Sequence, residues 1–297
     1  MIPSWLESDF LRLSQLASHN KLHHGLLVQG KKGTGKKQLA DALASKLLCL
    51  NSNDYACGHC KACHLLKAGT HPDKLDIVPE KDSLGVDQIR SITQFFTHAS
   101  SLENNKVVVI HSAHLMTLAA SNALLKTLEE PSNDGYIMLL AEPELMLSAT
   151  VLSRCFKLNI TVDEQQASAF LQQHGLTVEM PWIGCFLSQP LMLLDWHKSN
   201  VLEEINQLYQ LSLTEFTSEN IAQIVALLSK NTDYIAVFVN FLIKKLNTAL
   251  LNKALDVKLF HENTQALLNF SNKIKEVKGV NLSLQVSAML NKLTVKR

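Results

Sequence analysis

Two short runs carry residue types that do phosphate chemistry. Gly30-Lys31-Lys32-Gly33-Thr34-Gly35-Lys36-Lys37 has the glycine spacing and terminal lysine of a phosphate-binding loop. Val107-Val108-Val109-Ile110-His111-Ser112 has the form of the strand that, in P-loop ATPases, ends in magnesium-binding carboxylates. Each run departs from that chemistry at the position that matters. A hydroxyl residue should follow the loop lysine and hold Mg²⁺, and Lys37 stands there. His111 and Ser112 stand where the strand should end in acids. Gly30, Gly33, Gly35 and Lys36 keep the backbone amides and helix N-terminus of an anion cradle, so residual phosphate binding is the most they support. Phosphoryl transfer leans on the metal's charge, so hydrolysis in this chain is not expected.

A third constellation has metal chemistry. Cys57, Cys60 and Cys63 follow one another at equal spacing, with Cys49 upstream. Four thiolates close a tetrahedral zinc shell with no open position, which is the structural kind of site. Gly58 supplies the tight turn of a chelating loop. His59 and His64 are alternative ligands, though thiolates fit the pattern better. The alternative reading is four unrelated buried thiols. Cys155 and Cys185 stand apart and read as small core hydrophobes.

These residues need elements to hold them. Gly25–Gln29 reads as a buried strand feeding the loop, and Lys36–Leu48 as the helix after it, with Leu39, Leu43 and Leu47 on one face. Further strands are expected at Leu75–Val78, Lys106–Ile110, Tyr136–Leu140 and Phe156–Ile160. Helices are expected along Val86, Ile89, Thr93 and Phe96, and from Thr117 to Glu130, where Pro131 stops the chain. Strands alternating with helices predict a three-layer α/β domain with a parallel sheet. After Ile160 the strand signals end. Thr161 and Glu164 have the spacing of a capping box, and from Val201 onward the pattern is helical throughout.

Composition adds exclusions. The 297 residues are 46% hydrophobic and 19% charged, with a net charge of +1. That balance is ordinary for a globular protein of about two domains and carries no global electrostatic footprint for nucleic acid. Contact with DNA would be local or made by a partner. The start lacks a signal-peptide pattern, and the longest apolar run, Tyr234 to Ile243, is interrupted by Asn240. No membrane span is expected, and the reading is cytoplasmic.

Further motifs carry a resemblance. Ser121-Asn122-Ala123-Leu124-Leu125-Lys126-Thr127-Leu128-Glu129-Glu130-Pro131 and Leu152-Ser153-Arg154-Cys155 resemble signatures of the AAA+ clamp-loader family. The cysteine knuckle, then Ala68-Gly69-Thr70-His71-Pro72-Asp73 and Leu84-Gly85-Val86-Asp87, narrow this to its delta-prime branch in bacterial DNA polymerase III. The resemblance is strong over residues 22–160 and weaker beyond. It implies a RecA-like AAA+ P-loop domain with a zinc module over 1–160, a small helical lid over 161–199 and a helical collar over 200–297. It implies a hetero-pentameric ring with gamma/tau and delta subunits, which loads the sliding clamp onto primed DNA. In that ring the chain itself is non-catalytic, within a complex that has DNA-directed DNA polymerase activity. Arg154 then becomes an arginine finger presented to a neighbouring ATPase site; read without the resemblance, it is a structural arginine paired with a carboxylate of its own chain. Lys126, Glu129 and Glu130 have the spacing of a surface ion-pair set, with a role at an interface as the other reading.

The lid stretch Leu187-Ser188-Gln189-Pro190-Leu191-Met192 lacks the family's nucleotide-sensing arginine. No Thr or Asn stands near Leu140 and Ala141 to orient a water. The alternative is an active, gamma/tau-like motor subunit, against which Lys37, His111 and Ser112 speak. A zinc-ribbon nucleic-acid binder lacks the basic aromatic surface such modules use.

Overall fold

The computed structural model describes all residues except 1, 81, 103, 132–133, 143–146, 178, 277–280 and 294–297. The chain divides into two compact units, Met1–Phe170 with Ser188–Met192, and Leu171–Leu187 with Leu193–Arg297.

The first unit is built on five parallel strands: β1 Gly25–Gln29, β2 Lys74–Ile77, β3 Lys106–Ile110, β4 Gly135–Ala141 and β5 Phe156–Asn159. Their order in the sheet is β2-β3-β4-β1-β5. The near-continuous apolar runs have a direct cause: both faces of the sheet are covered. Leu26, Val28, Val107, Val109, Met138 and Leu140 enter one core with helices α1 (Glu7–Ser18) and α2 (Lys36–Leu48). Their strand neighbours Leu27, Val108, Ile110, Ile137 and Leu139 enter the other, with α4 (Val86–Thr97) and α5 (Leu118–Glu129). Alternation of period two therefore persists inside the apolar run, each side chain going to the opposite face from the last. A short helix α3, Lys61–Lys67, follows the cysteine loop; α6, Ala149–Leu152, precedes β5; and α7, Glu164–Gln173, follows it.

Two local expectations are corrected. The buried face of α4 passes through Ile89 and Ile92, with Phe95 and Phe96 packed beside them, while Thr93 is exposed and its hydroxyl lies 3.3 Å from that of Thr127. In α7 the cap is Asp163, whose Oδ1 accepts the amide of Gln166 at 2.9 Å, so the helix opens two residues after Thr161 would cap it. A carboxylate is as good a cap as a threonine hydroxyl, and the sequence offers both.

Asp73 ties β2 to the loop before β3. It is 1% exposed, and its two carboxylate oxygens accept the amides of Ser101 and Leu102 at 2.8 and 3.2 Å. Asp73→Ala leaves both donors unpaired, and a loss of about 2–4 kcal/mol is expected. It should be read as a lower urea midpoint at unchanged slope.

The second unit is helical: α8 Pro190–Lys198 (from residue 193 on), α9 Leu202–Leu213, α10 Ser218–Leu228, α11 Asp233–Leu251, α12 Val257–Glu276 and α13 Leu282–Lys292. By length and composition alone α11 is apolar enough to cross a membrane, which the interrupted run Tyr234–Ile243 did not suggest. Tyr234, Ile235, Val237, Phe238, Val239, Phe241, Leu242 and Leu246 of α11 are buried within the unit. Around Phe241 stand Trp182, Phe186 and Tyr209, with ring centroids 5.2–6.1 Å away at steep angles. Thr217 and Asn281 cap α10 and α13 through their side chains.

Candidate functional site

The phosphate loop leaves β1 and enters α2, the layout an anion cradle needs. Here other parts of the chain pack on the loop. Gly33 has φ of 81°, and a Cβ there would lie 2.7 Å from Met192 Cβ and Met192 N. The Leu191 amide donates to the Gly33 carbonyl at 3.1 Å. Gly35, at φ 99°, is in a conformation that side chains rarely adopt, and a Cβ there would lie 2.6 Å from the tip of Leu6. The Trp5 indole donates to the Thr34 carbonyl at 2.8 Å. Both glycines thus serve close approach by other parts of the chain. The Lys36 ammonium is folded back on its own loop and donates to the carbonyls of Gly30 and Lys31 at 2.5 and 2.9 Å. Burial lowers its pKa, with Glu142 opposing. Lys37 is exposed.

At the end of β3, His111 sits where a metal-binding acid would be. Its Nε2 lies 3.0 Å from Asp76 Oδ1. The pairing of Ile77 with Ile110 makes this contact, since it sets the two strand ends side by side. Lys74 bridges Asp76 and Asp41 at 3.1 and 2.8 Å. The hydrogen bond from His111, with Lys74, holds the Asp76 carboxyl below its usual range despite burial. Burial also works against charge on Lys74, but Asp41 and Asp76 outweigh it and raise its pKa. Asp41 and Asp76 near this strand end therefore already share Lys74, and Asp76 also meets the His111 ring. Ser112 adopts a left-handed conformation, φ 50° and ψ 48°, uncommon for a residue with a Cβ.

The four cysteines converge. The Sγ atoms of Cys49, Cys57, Cys60 and Cys63 all lie within 4.8 Å of one another. Cys49 to Cys60 is 3.8 Å and Cys57 to Cys63 is 4.0 Å. A tetrahedron with metal–sulfur bonds of about 2.3 Å has edges of about 3.8 Å, so this donor set fits zinc. His59 and His64 do not join it: the group consists of the four thiols, and His59 Nδ1 instead lies 2.8 Å from the Cys57 carbonyl. Cys60 caps α3, its sulfur accepting the Cys63 amide at 3.5 Å, and Cys49 accepts the Cys57 amide at 3.2 Å. Such amides favour thiolate. Although burial pushes upward, amide and thiol donors bring Cys60 down to about 6, while burial and its thiol neighbours push Cys63 up to about 12. The module is anchored on α1 by stacking of Tyr55 on Phe10, centroids 4.9 Å apart, and by a hydrogen bond from Ser14 to the Asp54 carbonyl.

Arg154 lies between α6 and β5. Its Nη2 is 2.5 Å from Glu129 Oε1, and Nη1 donates to the Thr150 carbonyl at 3.0 Å and to the Ser153 hydroxyl at 3.3 Å. Glu129, read in the sequence with Lys126 and Glu130, pairs across to Arg154. A carboxylate of the same chain was one of the two readings of Arg154, but the sequence did not single out Glu129, because residues 129 and 154 belong to different elements.

A parallel sheet with these two-sided helical layers and a loop of this form define the class: the fold is the RecA-like AAA+ fold. A DNA polymerase III gamma subunit-related protein of Thermotoga maritima shares it, with a TM-score of 0.51 at 19% identity over 94% of this chain and 97% of that one. The family model for the DNA polymerase III delta subunit matches residues 7–164. DNA polymerase III subunit delta' of Haemophilus influenzae is 34% identical over 209 residues, 67% of this chain and 63% of that protein. That of Escherichia coli is 44% identical over 155 residues, 51% and 46% of the two. The delta' subunit of Buchnera aphidicola from Schizaphis graminum is 28% identical over 285 residues, 84% and 87%. The chain belongs to the DNA polymerase III delta-prime family. The matches to the first two relatives span less than two thirds of those proteins.

Proposed function

We propose that this chain is a non-hydrolysing clamp-loader subunit of DNA polymerase III. It takes its place with gamma/tau and delta subunits in a hetero-pentameric ring that loads the sliding clamp onto primed DNA in the cytoplasm. The observation that carries this reading is a phosphate loop without its working groups. Leu6, Trp5 and Met192 pack on it, Lys36 is spent on its own carbonyls, and Lys37, His111 and Ser112 stand at the metal-ligand positions. In the assignment of parts, residues 1–160 form the AAA+ domain, 161–199 the lid and 200–297 the collar. Zinc held by Cys49, Cys57, Cys60 and Cys63 stiffens the first of these. Arg154 acts in trans as an arginine finger on a neighbour's nucleotide. Gly30, Gly33, Gly35 and Lys36 retain residual phosphate binding at most.

The test is hydrolysis by the purified chain. No ATP turnover above background is expected, with or without Mg²⁺, and Lys36→Ala should change nothing. Robust turnover that Lys36→Ala abolishes would instead make this a motor subunit.

A further inference from the structure

Glu129 is the last residue of α5, where a helix presents its negative pole. A carboxylate there works against the helix dipole, and its compensation is the Arg154 guanidinium at 2.5 Å. The rest of that guanidinium is turned inward as well, toward the Thr150 carbonyl and the Ser153 hydroxyl. An arginine that serves a neighbouring subunit has to extend away from its own backbone, and this one is folded back over α6. The pair is nonetheless shallow: the side chains are 35% and 49% exposed. A contact this exposed is weak enough to open, and the phosphate oxygens that would compete for the fork carry more charge than one carboxylate.

We propose that Glu129 is a positioning residue that parks Arg154, holding the finger withdrawn until a neighbour's nucleotide is brought close. This rests on the reading of Arg154 as a finger in trans. Removing the carboxylate lowers the cost of extending the arginine. The Arg154-dependent part of ATP hydrolysis should therefore rise before DNA is added, and DNA should stimulate it less. Loss of a merely structural ion pair would not speed catalysis.

The experiment compares reconstituted complexes in which every other subunit is wild type. ATP hydrolysis without DNA is measured for wild type, Glu129→Ala, Glu129→Gln, Arg154→Ala and the double variant Glu129→Ala/Arg154→Ala. The Arg154-dependent rate is the excess over the Arg154→Ala complex. It should rise ~2- to 5-fold in Glu129→Ala, the range set by the worth of an exposed ion pair, and less in Glu129→Gln, which keeps an acceptor without the charge. In the Arg154→Ala background the Glu129 change should have no effect. An unchanged or reduced excess in both Glu129 variants overturns the parking role while leaving the finger intact, and so does a rise that persists in the double variant. Should Arg154→Ala alone match wild type, with and without DNA, the finger reading fails and parking fails with it.

Discussion

Protein purified without chelator should carry close to one zinc per chain, and Cys63→Ser should lose it. Binding of structural zinc by such thiolates releases on the order of 10 kcal/mol in small peptides, more than any other single interaction in this domain can supply. Here the loss should remain local, because the parallel sheet has two apolar cores of its own that do not need the metal. The stretch from Cys49 to Cys63 should lose its fixed conformation, and with it α3, whose cap is a ligand thiol. The Tyr55–Phe10 stack would go next, exposing the outer side of α1. Elemental analysis reads the stoichiometry. Hydrogen exchange reads the extent, with rapid exchange expected in residues 49–67 and protection kept in β1, β3 and β4. A folded, protected loop with four freely titrating thiols and no metal would remove the site. Acidification should release zinc as protons compete for the thiolates.

The cysteine site was legible because its chemistry is local: four ligands within fifteen positions leave few geometries open. The loop between β1 and α2 was legible for the same reason. So were β1 and β3, whose runs of Val, Leu and Ile are long enough to demand cover on both faces. What packs on the loop was not. Met192 is remote in sequence from Gly33, and nothing in Leu187–Met192 announces that its backbone will meet a glycine with no space for a Cβ. Nor could the charge network be read. His111 and Asp76 meet only because β2 lies beside β3 in register, and a sequence of short apolar strands does not state its own order. The misplaced face of α4 has a simpler origin. Positions 89, 92, 93 and 96 all fit a helical stripe; Ile92 enters the core, while Thr93 stays exposed with its hydroxyl beside that of Thr127 on α5. The Glu129–Arg154 pair shows the same limit: the family motif marks the arginine, but its partner is supplied by tertiary structure.

On the proposed reading of Arg154 as a finger in trans, Arg154→Ala should leave the fold and ring assembly intact and strongly reduce hydrolysis at the neighbouring ATPase site. The pair it breaks is exposed, so its cost to the fold should be about 1 kcal/mol or less, and the orphaned Glu129 can turn to water. The cost to the reaction is of another order. An arginine fork neutralises charge that builds on the transferring phosphoryl oxygens, and its loss costs ~10³-fold or more at the site concerned. Because that charge develops toward the transition state, the loss should fall on turnover far more than on nucleotide affinity. Arg154→Lys should restore only part of it, since a single ammonium cannot present two parallel donors. In the proposed ring the other sites would keep their own fingers. Bulk hydrolysis should therefore fall by a fraction, while clamp loading onto primed DNA, which draws on the ring as a whole, falls further. The measurement is steady-state ATPase and clamp loading by complexes whose remaining subunits are wild type, with assembly verified by native mass spectrometry. A correctly assembled Arg154→Ala complex that hydrolyses and loads at the wild-type rate would return the arginine to its partner Glu129 and to a structural role alone.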